Sequence, residues 1–136
     1  MSPTIARRSG ARAREQKTPR SWQRFAERYP TVAAAYDTLS DACRHAGPLD
    51  EKSVALAKLA VSVGGSIDRS VHIHAKKALR AGVSPDALVQ VAVIAMPAIG
   101  LARALDALGW IDESIEEARM EGAATPAPRD GPEQTP

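Results

Sequence analysis

The chain has 136 residues, of which 44% are hydrophobic but only 4% aromatic, and its formal net charge is +2. This length suits one domain with one core, and a core of Ala, Val, Leu and Ile favours closely packed helices over sheets. The small charge gives no reason to expect a nucleic-acid partner, and no apolar run approaches the roughly 20 residues that span a bilayer. A single cysteine excludes an internal disulfide, which is compatible with a reducing compartment. We therefore expect an unexported, cytoplasmic protein, and the lack of a long apolar run predicts that it has no membrane segment.

The two ends of the chain differ in composition from its middle. Residues 1–20 contain six basic side chains and one acid, Glu15, with no apolar period, and residues 122–136 contain four prolines. Both compositions predict disorder, which leaves residues 21–121 as the folded domain. The basic N-terminal arm has a second interpretation, as a segment that contacts nucleic acid, an anionic membrane or an acidic partner.

Two helices are predicted at the start of this domain. Ser21 can cap a short helix over residues 22–28, with Trp22, Phe25 and Tyr29 on one side. Pro30 suits the first turn of a second helix that runs to Gly47. Helical spacing on the second helix predicts an inward face of Val32, Ala35, Tyr36, Leu39 and Cys43. We interpret Cys43 as a small core residue rather than a nucleophile.

A third helix should begin after Asp50, a good N-cap, and residues 54–63 are so apolar that it should be buried on most sides. Lys58 is the exception: it either extends to water along its stem or presents a cation to a site. Gly64 and Gly65 should end this helix and allow a tight reversal.

Residues 66–82 combine reactive side chains with a sharp helical pattern. Ile67, Val71, Ala75, Ala78 and Leu79 form one apolar stripe, and His74 lies on it. His72 projects roughly 200° away, so we expect it to face solvent, paired at most with Asp68. Ser70 precedes His74 by one turn, which would let its hydroxyl reach the imidazole.

The remaining sequence predicts two more helices. Ser84 and Pro85 open one over residues 86–96, which is too apolar to have a free face in a small monomer. Pro97 and Gly100 should kink or break the chain before a final helix over residues 101–119. We expect its inward side chains to be Leu101, Leu105, Leu108, Ile111 and Ile115. Its acidic run, Asp112, Glu113, Glu116, Glu117 and Glu121, should be solvated or should receive the basic arm of a neighbouring subunit.

Residues 49–98 resemble the carboxymuconolactone decarboxylase and alkylhydroperoxidase D-like superfamily. In that family an acidic helix start and an alanine-rich helix lead through a glycine loop to a helix that carries a histidine, and a glycine ends that helix eight residues after the histidine. His74 and Gly82 reproduce this spacing. The resemblance implies an all-α, compact domain of five or six helices that is oligomeric, as a homotrimer or hexamer. It also implies that His74 is a site residue.

The departures from the family pattern concern its redox chemistry. Redox members carry a cysteine-x-x-cysteine motif, and the matching positions here are Ile67 and Ser70. A glutamate of the family's proton relay would fall on Ala55. Since a hydroxyl cannot form a disulfide, thiol peroxidase activity is disfavoured.

Three interpretations of function remain open at this point. In the first, His74 transfers a proton on a small carboxylate or lactone, with Ser70 as a second catalytic candidate and Lys58 binding the substrate. In the second, the chain is a catalytically inactive oligomeric scaffold or ligand-binding protein. The third is an alkylhydroperoxidase-like peroxidase, which Ile67 and Ser70 disfavour. We expect no cofactor and no metal, because a His-x-His pair on a helix does not converge on one ion unless a second subunit adds ligands.

Overall fold

The computed structural model describes residues 19–123, which form six α-helices and no strand. The helices are α1 (Arg20–Arg28), α2 (Pro30–Arg44), α3 (Glu51–Gly64), α4 (Asp68–Arg80), α5 (Pro85–Ile99) and α6 (Leu101–Ala123). The predicted all-α class is therefore confirmed. Most of the two predicted tails lies outside the described residues. Among the described residues, no helix is long and apolar enough to cross a membrane.

The chain divides into two compact units, Met1–Ala46 and Gly47–Pro136. Of the described helices, α1 and α2 belong to the first unit and α3 to α6 to the second. In the first unit α1 packs on α2, and Ala33 is the single buried residue of the two helices. Rings of Trp22, Phe25 and Tyr29 line one side of this helix pair, as their spacing predicts.

The second unit holds the hydrophobic core. Helix α4 packs against α3 and α6 and more lightly against α5, while α5 packs against α3 and α6. Leu59, Val71, Leu88 and Ile111 come from four different helices and are fully buried. Each such burial stabilises the fold by about 1.5–3 kcal/mol relative to an exposed side chain. Ala75, Ala78 and Ala107 lie among them, and their small size lets the helices approach closely.

Helix boundaries follow from local chemistry. Asp50 Oδ1 accepts a hydrogen bond of 2.8 Å from the backbone N–H of Ser53, and Ser84 Oγ accepts one of 3.2 Å from Ala87 N–H. Both N-caps match the sequence prediction. The predicted end of the fifth helix at Met96 is wrong, because α5 continues through Pro97 to Ile99. The helix ends where Gly100 adopts a φ of 91°, a conformation that glycine adopts without steric cost.

Several predicted inward residues are exposed. On α6 the buried side chains near the N-terminus are Ala104 and Ala107, whereas Leu101 and Leu105 are exposed. On α2 the predicted inward face is also exposed, including Cys43. On α2 the apolar spacing gave the right helix but the wrong contact face. On α6 the predicted Ile111 and Ile115 are buried, and only the first two turns differ from the prediction. A helix with apolar residues on two sides does not specify which side is covered.

The reversal between α3 and α4 depends on a strained serine. Gly64 ends α3 and Gly65 keeps a helical φ of −79°, so neither glycine supplies the left-handed residue. Ser66 does, with a φ of 52°. Its hydroxyl is also buried without a hydrogen-bond partner within the described residues. A left-handed non-glycine residue and an unsatisfied buried hydroxyl each cost on the order of 1 kcal/mol or more.

Replacing Ser66 by glycine should therefore stabilise the protein. The substitution removes the strain and the unpaired hydroxyl, while the freer unfolded chain opposes it by about 0.4–1 kcal/mol. We expect a net gain of about 1 kcal/mol in the free energy of unfolding, measured by urea denaturation. Ser66→Ala is the matched control: it removes the hydroxyl but keeps the strained Cβ, so its gain should be smaller. A less stable Ser66→Gly variant would show that the serine is accommodated without strain.

Candidate functional site

The candidate site lies where α3 meets α4. The two helices are joined by the short turn at Gly65–Ile67 and pack along their length. Burial of Val71, Ala75 and Ala78 fixes the rotation of α4 about its own axis. This rotation decides the surroundings of His74, which is only half-buried.

His74 is a neutral imidazole in a positively charged setting. Burial lowers the pKa of His74 below its usual value, and the charges of Lys77 and Lys58 lower it further. All three effects disfavour the protonated ring. Within the part of the chain that the structure describes, no hydrogen bond holds either ring nitrogen. A neutral ring with free nitrogens can accept a proton or a hydrogen bond from a ligand at neutral pH.

The two lysines whose charges lower the pKa of His74 belong to different helices. Lys58 extends from α3 and is half-buried, while Lys77 lies three residues after His74 on α4 and is exposed. The charge of Lys58 acts on His74, and the sequence prediction that Lys58 binds a ligand beside this ring stays a prediction. The sequence interpretation missed Lys77, although the i, i+3 spacing from His74 was a signal that could have identified it.

Ser70 is held by a serine that the sequence interpretation did not consider. Its Oγ lies 2.6 Å from Oγ of Ser62, a buried residue of α3. Ser62 Oγ donates its own hydrogen to the carbonyl of Lys58 at 3.0 Å. Because a hydroxyl has one hydrogen, Ser70 must be the donor to Ser62. Its hydroxyl thus ties α4 to α3 instead of reaching His74.

The sequence predicted that His72 faces solvent and pairs at most with Asp68. The structure confirms the contact with Asp68, but His72 also pairs with Glu113 of α6 and is partly covered. Nδ1 is 2.8 Å from Oδ1 of Asp68, and Nε2 is 3.0 Å from Oε2 of Glu113; only 23% of the side chain is exposed. Burial alone would lower the pKa of His72. Hydrogen bonds to the Asp68 carbonyl and the Glu113 carboxylate, with the charges of both acids, outweigh burial and raise it.

Lys76 makes the same kind of contact one turn further along α4. Its Nζ lies 2.5 Å from Oε2 of Glu117 and 3.7 Å from Oε1 of Glu121. The hydrogen bond from Lys76 lowers the pKa of Glu117. The acidic run of α6 is largely exposed, as predicted, but Glu117 and Glu121 also pair with Lys76 of α4.

The two histidines of the His-x-His pair have different neighbours. Among residues 19–123 there is no group of three or more His, Cys, Asp or Glu side chains that could hold a metal ion. His72 and His74 also belong to different helix interfaces, with both nitrogens of His72 facing carboxylate oxygens.

The contact of His72 with two carboxylates should make stability depend on pH. A histidine whose pKa is raised on folding contributes stability that is fully present below the unfolded pKa of about 6.5 and is lost as pH rises through the folded pKa. At pH 5.5 the free energy of unfolding of wild type should be higher than that of His72→Gln by up to about 1 kcal/mol. This difference in stability should become smaller by pH 8.5.

His45→Gln is the control for this experiment. The His45 side chain is 74% exposed at the end of α2, so His45→Gln removes a histidine without removing a contact between helices. A constant gap for His72→Gln would show that the two carboxylates do not bind the protonated ring.

These observations describe an all-α protein in which a histidine without a hydrogen-bond partner in the described residues is kept neutral by burial and by the charges of two lysines. A pair of serine hydroxyls links the helix of this histidine to α3. The sequence model of the Carboxymuconolactone decarboxylase family matches residues 30–113. The chain belongs to this family. Comparisons with curated proteins and with solved structures gave no significant match.

Proposed function

We propose that this chain acts on a small carboxylate or lactone without thiol chemistry, using His74 to transfer a proton. One observation carries the proposal: a half-buried imidazole with no hydrogen-bond partner in residues 19–123, whose pKa is lowered by burial and by two lysines. Such a ring has the charge state of a general base near neutral pH, and the lysines attract an anion to it.

The proposed step is a reversible proton transfer at a carbon next to a carbonyl. Lys58 and Lys77 hold a carboxylate of the ligand and stabilise the negative charge that develops as His74 accepts the proton. The resulting imidazolium then returns the proton to the ligand at another atom. Ser70, one turn before His74, borders the ligand in this scheme, and its bond to Ser62 fixes its position. The step needs no cofactor.

A catalytically inactive, ligand-binding form of the same site is the second candidate. The observation in its favour is that Ala55, at the position of the family's relay acid, is a partly buried residue packed on the core. A peroxidase is disfavoured, because Ile67 and Ser70 replace the thiols. The chain's single cysteine, Cys43, belongs to the other compact unit.

A thermal-shift screen against small monocarboxylates, dicarboxylates and lactones tests the binding site. A ligand present at 100 times its Kd stabilises the protein by roughly 2.7 kcal/mol, which raises Tm by several degrees. We expect a carboxylate to give such a shift with wild type and a shift reduced by more than half with Lys58→Ala or Lys77→Ala. Arg103→Ala removes an exposed cation from α6 and should respond like wild type.

Proton transfer is tested separately from binding. The pKa of His74, followed by NMR of its ring protons, should rise when the carboxylate binds, because the bound anion favours the imidazolium. Exchange of ligand protons with D₂O should then require His74 and be lost in His74→Gln. Binding without exchange would support the inactive ligand-binding form, and no binding by any of these compounds would contradict both candidates.

A further inference from the structure

The serine pair between α3 and α4 offers a ligand a hydrogen-bond acceptor but no hydrogen to donate. Ser62 Oγ donates its hydrogen to the carbonyl of Lys58 at 3.0 Å, and Ser70 Oγ donates its own to Ser62 Oγ at 2.6 Å. Ser62 is buried, with 4% of its surface exposed, whereas Ser70 is only partly buried. Because a hydroxyl oxygen has two lone pairs and one hydrogen, Ser70 Oγ can still accept a hydrogen bond.

The register of the two helices places this acceptor close to the charged groups of the site. Helices α3 and α4 are joined by a short turn and pack along their length, so they run antiparallel. Ser62 lies opposite Ser70. One helical turn further from the connecting turn, Lys58 follows on α3 and His74 on α4. A ligand bound at His74 is therefore within one helical turn of Ser70 Oγ.

The direction of the two hydrogen bonds favours a ligand group that donates to Ser70. With a donor in place, both existing bonds persist and the ligand adds a third. With an acceptor in place, Ser70 has to turn its hydrogen to the ligand, and Ser62 has to turn its hydrogen from the Lys58 carbonyl to Ser70, so only two bonds remain. One hydrogen bond between neutral groups corresponds to about a two- to tenfold difference in Kd.

The charges around His74 decide which kind of donor suits the site. Burial lowers the pKa of His74, and the charges of Lys77 and Lys58 lower it further, so both cations act on this ring. An ammonium group would be repelled by the two lysines, whereas a hydroxyl is a neutral donor. The carboxylate that the lysines attract and the hydroxyl that suits Ser70 together describe a hydroxy acid.

We propose that the ligand of this site is a hydroxy acid, whose hydroxyl donates a hydrogen bond to Ser70 Oγ while its carboxylate lies among the lysines. The inference rests on the proposed function, from which it takes the carboxylate. It makes Ser62 a positioning residue, which holds the hydrogen of Ser70 away from the ligand. In an acid with the hydroxyl on the carbon next to the carboxylate, that same carbon carries the proton that His74 accepts.

Two sets of matched acids test this preference on the full-length chain. Lactate, pyruvate and propionate share one carbon skeleton and carry a hydroxyl, a carbonyl or neither of them next to the carboxylate. Malate, oxaloacetate and succinate form a second, longer set. All six are ionised at pH 7, so the charge is equal within each set. In at least one set, the Kd of the hydroxy acid, measured by NMR titration, should be about two- to tenfold lower than that of the keto acid.

The Ser62→Ala variant separates this preference from the packing of the helices. Without Ser62 Oγ, the hydrogen of Ser70 can turn to the ligand, so the keto acid should bind more tightly and the two Kd values should converge. Ser114→Ala is the matched control. Ser114 is buried as well, and its Oγ donates to the carbonyl of Trp110 at 2.8 Å, but it lies on α6. This control should keep the wild-type ratio, and circular dichroism verifies that both variants are folded.

The outcomes separate this inference from the proposed function. Equal Kd values for hydroxy and keto acids, with binding weakened in Lys58→Ala, would overturn the hydroxy acid and leave the proposed function standing. A tighter-binding keto acid, or a folded Ser62→Ala variant with the wild-type ratio, would do the same. Should Ser62→Ala fail to fold, the wild-type ratio decides together with Ser70→Ala, which should bind lactate and propionate alike. No binding by either set would overturn both proposals.

Discussion

The structure of the second unit depends on the close packing of α4 among its neighbours. Val71, Ala75 and Ala78 are fully buried, and two of these are alanines. Small side chains let α3 and α6 approach α4 from two sides, and this contact fixes which way every other side chain of α4 points. The surroundings of His74 and the ion pairs with α6 therefore both follow from how α4 packs between α3 and α6. A larger residue at the fully buried Ala75 would overpack this core.

The same helix gives two histidines opposite electrostatic settings. His74 meets lysines and partial burial, so its pKa falls, whereas His72 meets Asp68 and Glu113, so its pKa rises. The two residues are separated by one position in the sequence, yet the helix sends them to different neighbours. Compared with an ordinary histidine, α4 thus carries a ring that disfavours the charged form on the α3 side and a ring that favours it on the α6 side.

Family membership supplies the fold more securely than it supplies the reaction. The family match covers residues 30–113, but the positions of the redox cysteines hold Ile67 and Ser70. Ser70 has taken on a structural contact, the hydrogen bond to Ser62 that links α4 to α3. A hydroxyl pair in this place stabilises the helix interface and has no redox chemistry. What the site retains is the histidine and a local excess of positive charge.

The sequence by itself determined the helices and most of their ends. Periodicity located all six, and caps such as Asp50 and Ser84 marked starts that the structure confirms, because these signals act within one or two turns. Only the tertiary structure decided that α6 covers His72, that Ser70 bonds to Ser62 and that Ala104 rather than Leu105 turns inward. Each of these depends on the rotation and distance of two packed helices, and apolar spacing on one helix does not specify its partner's position.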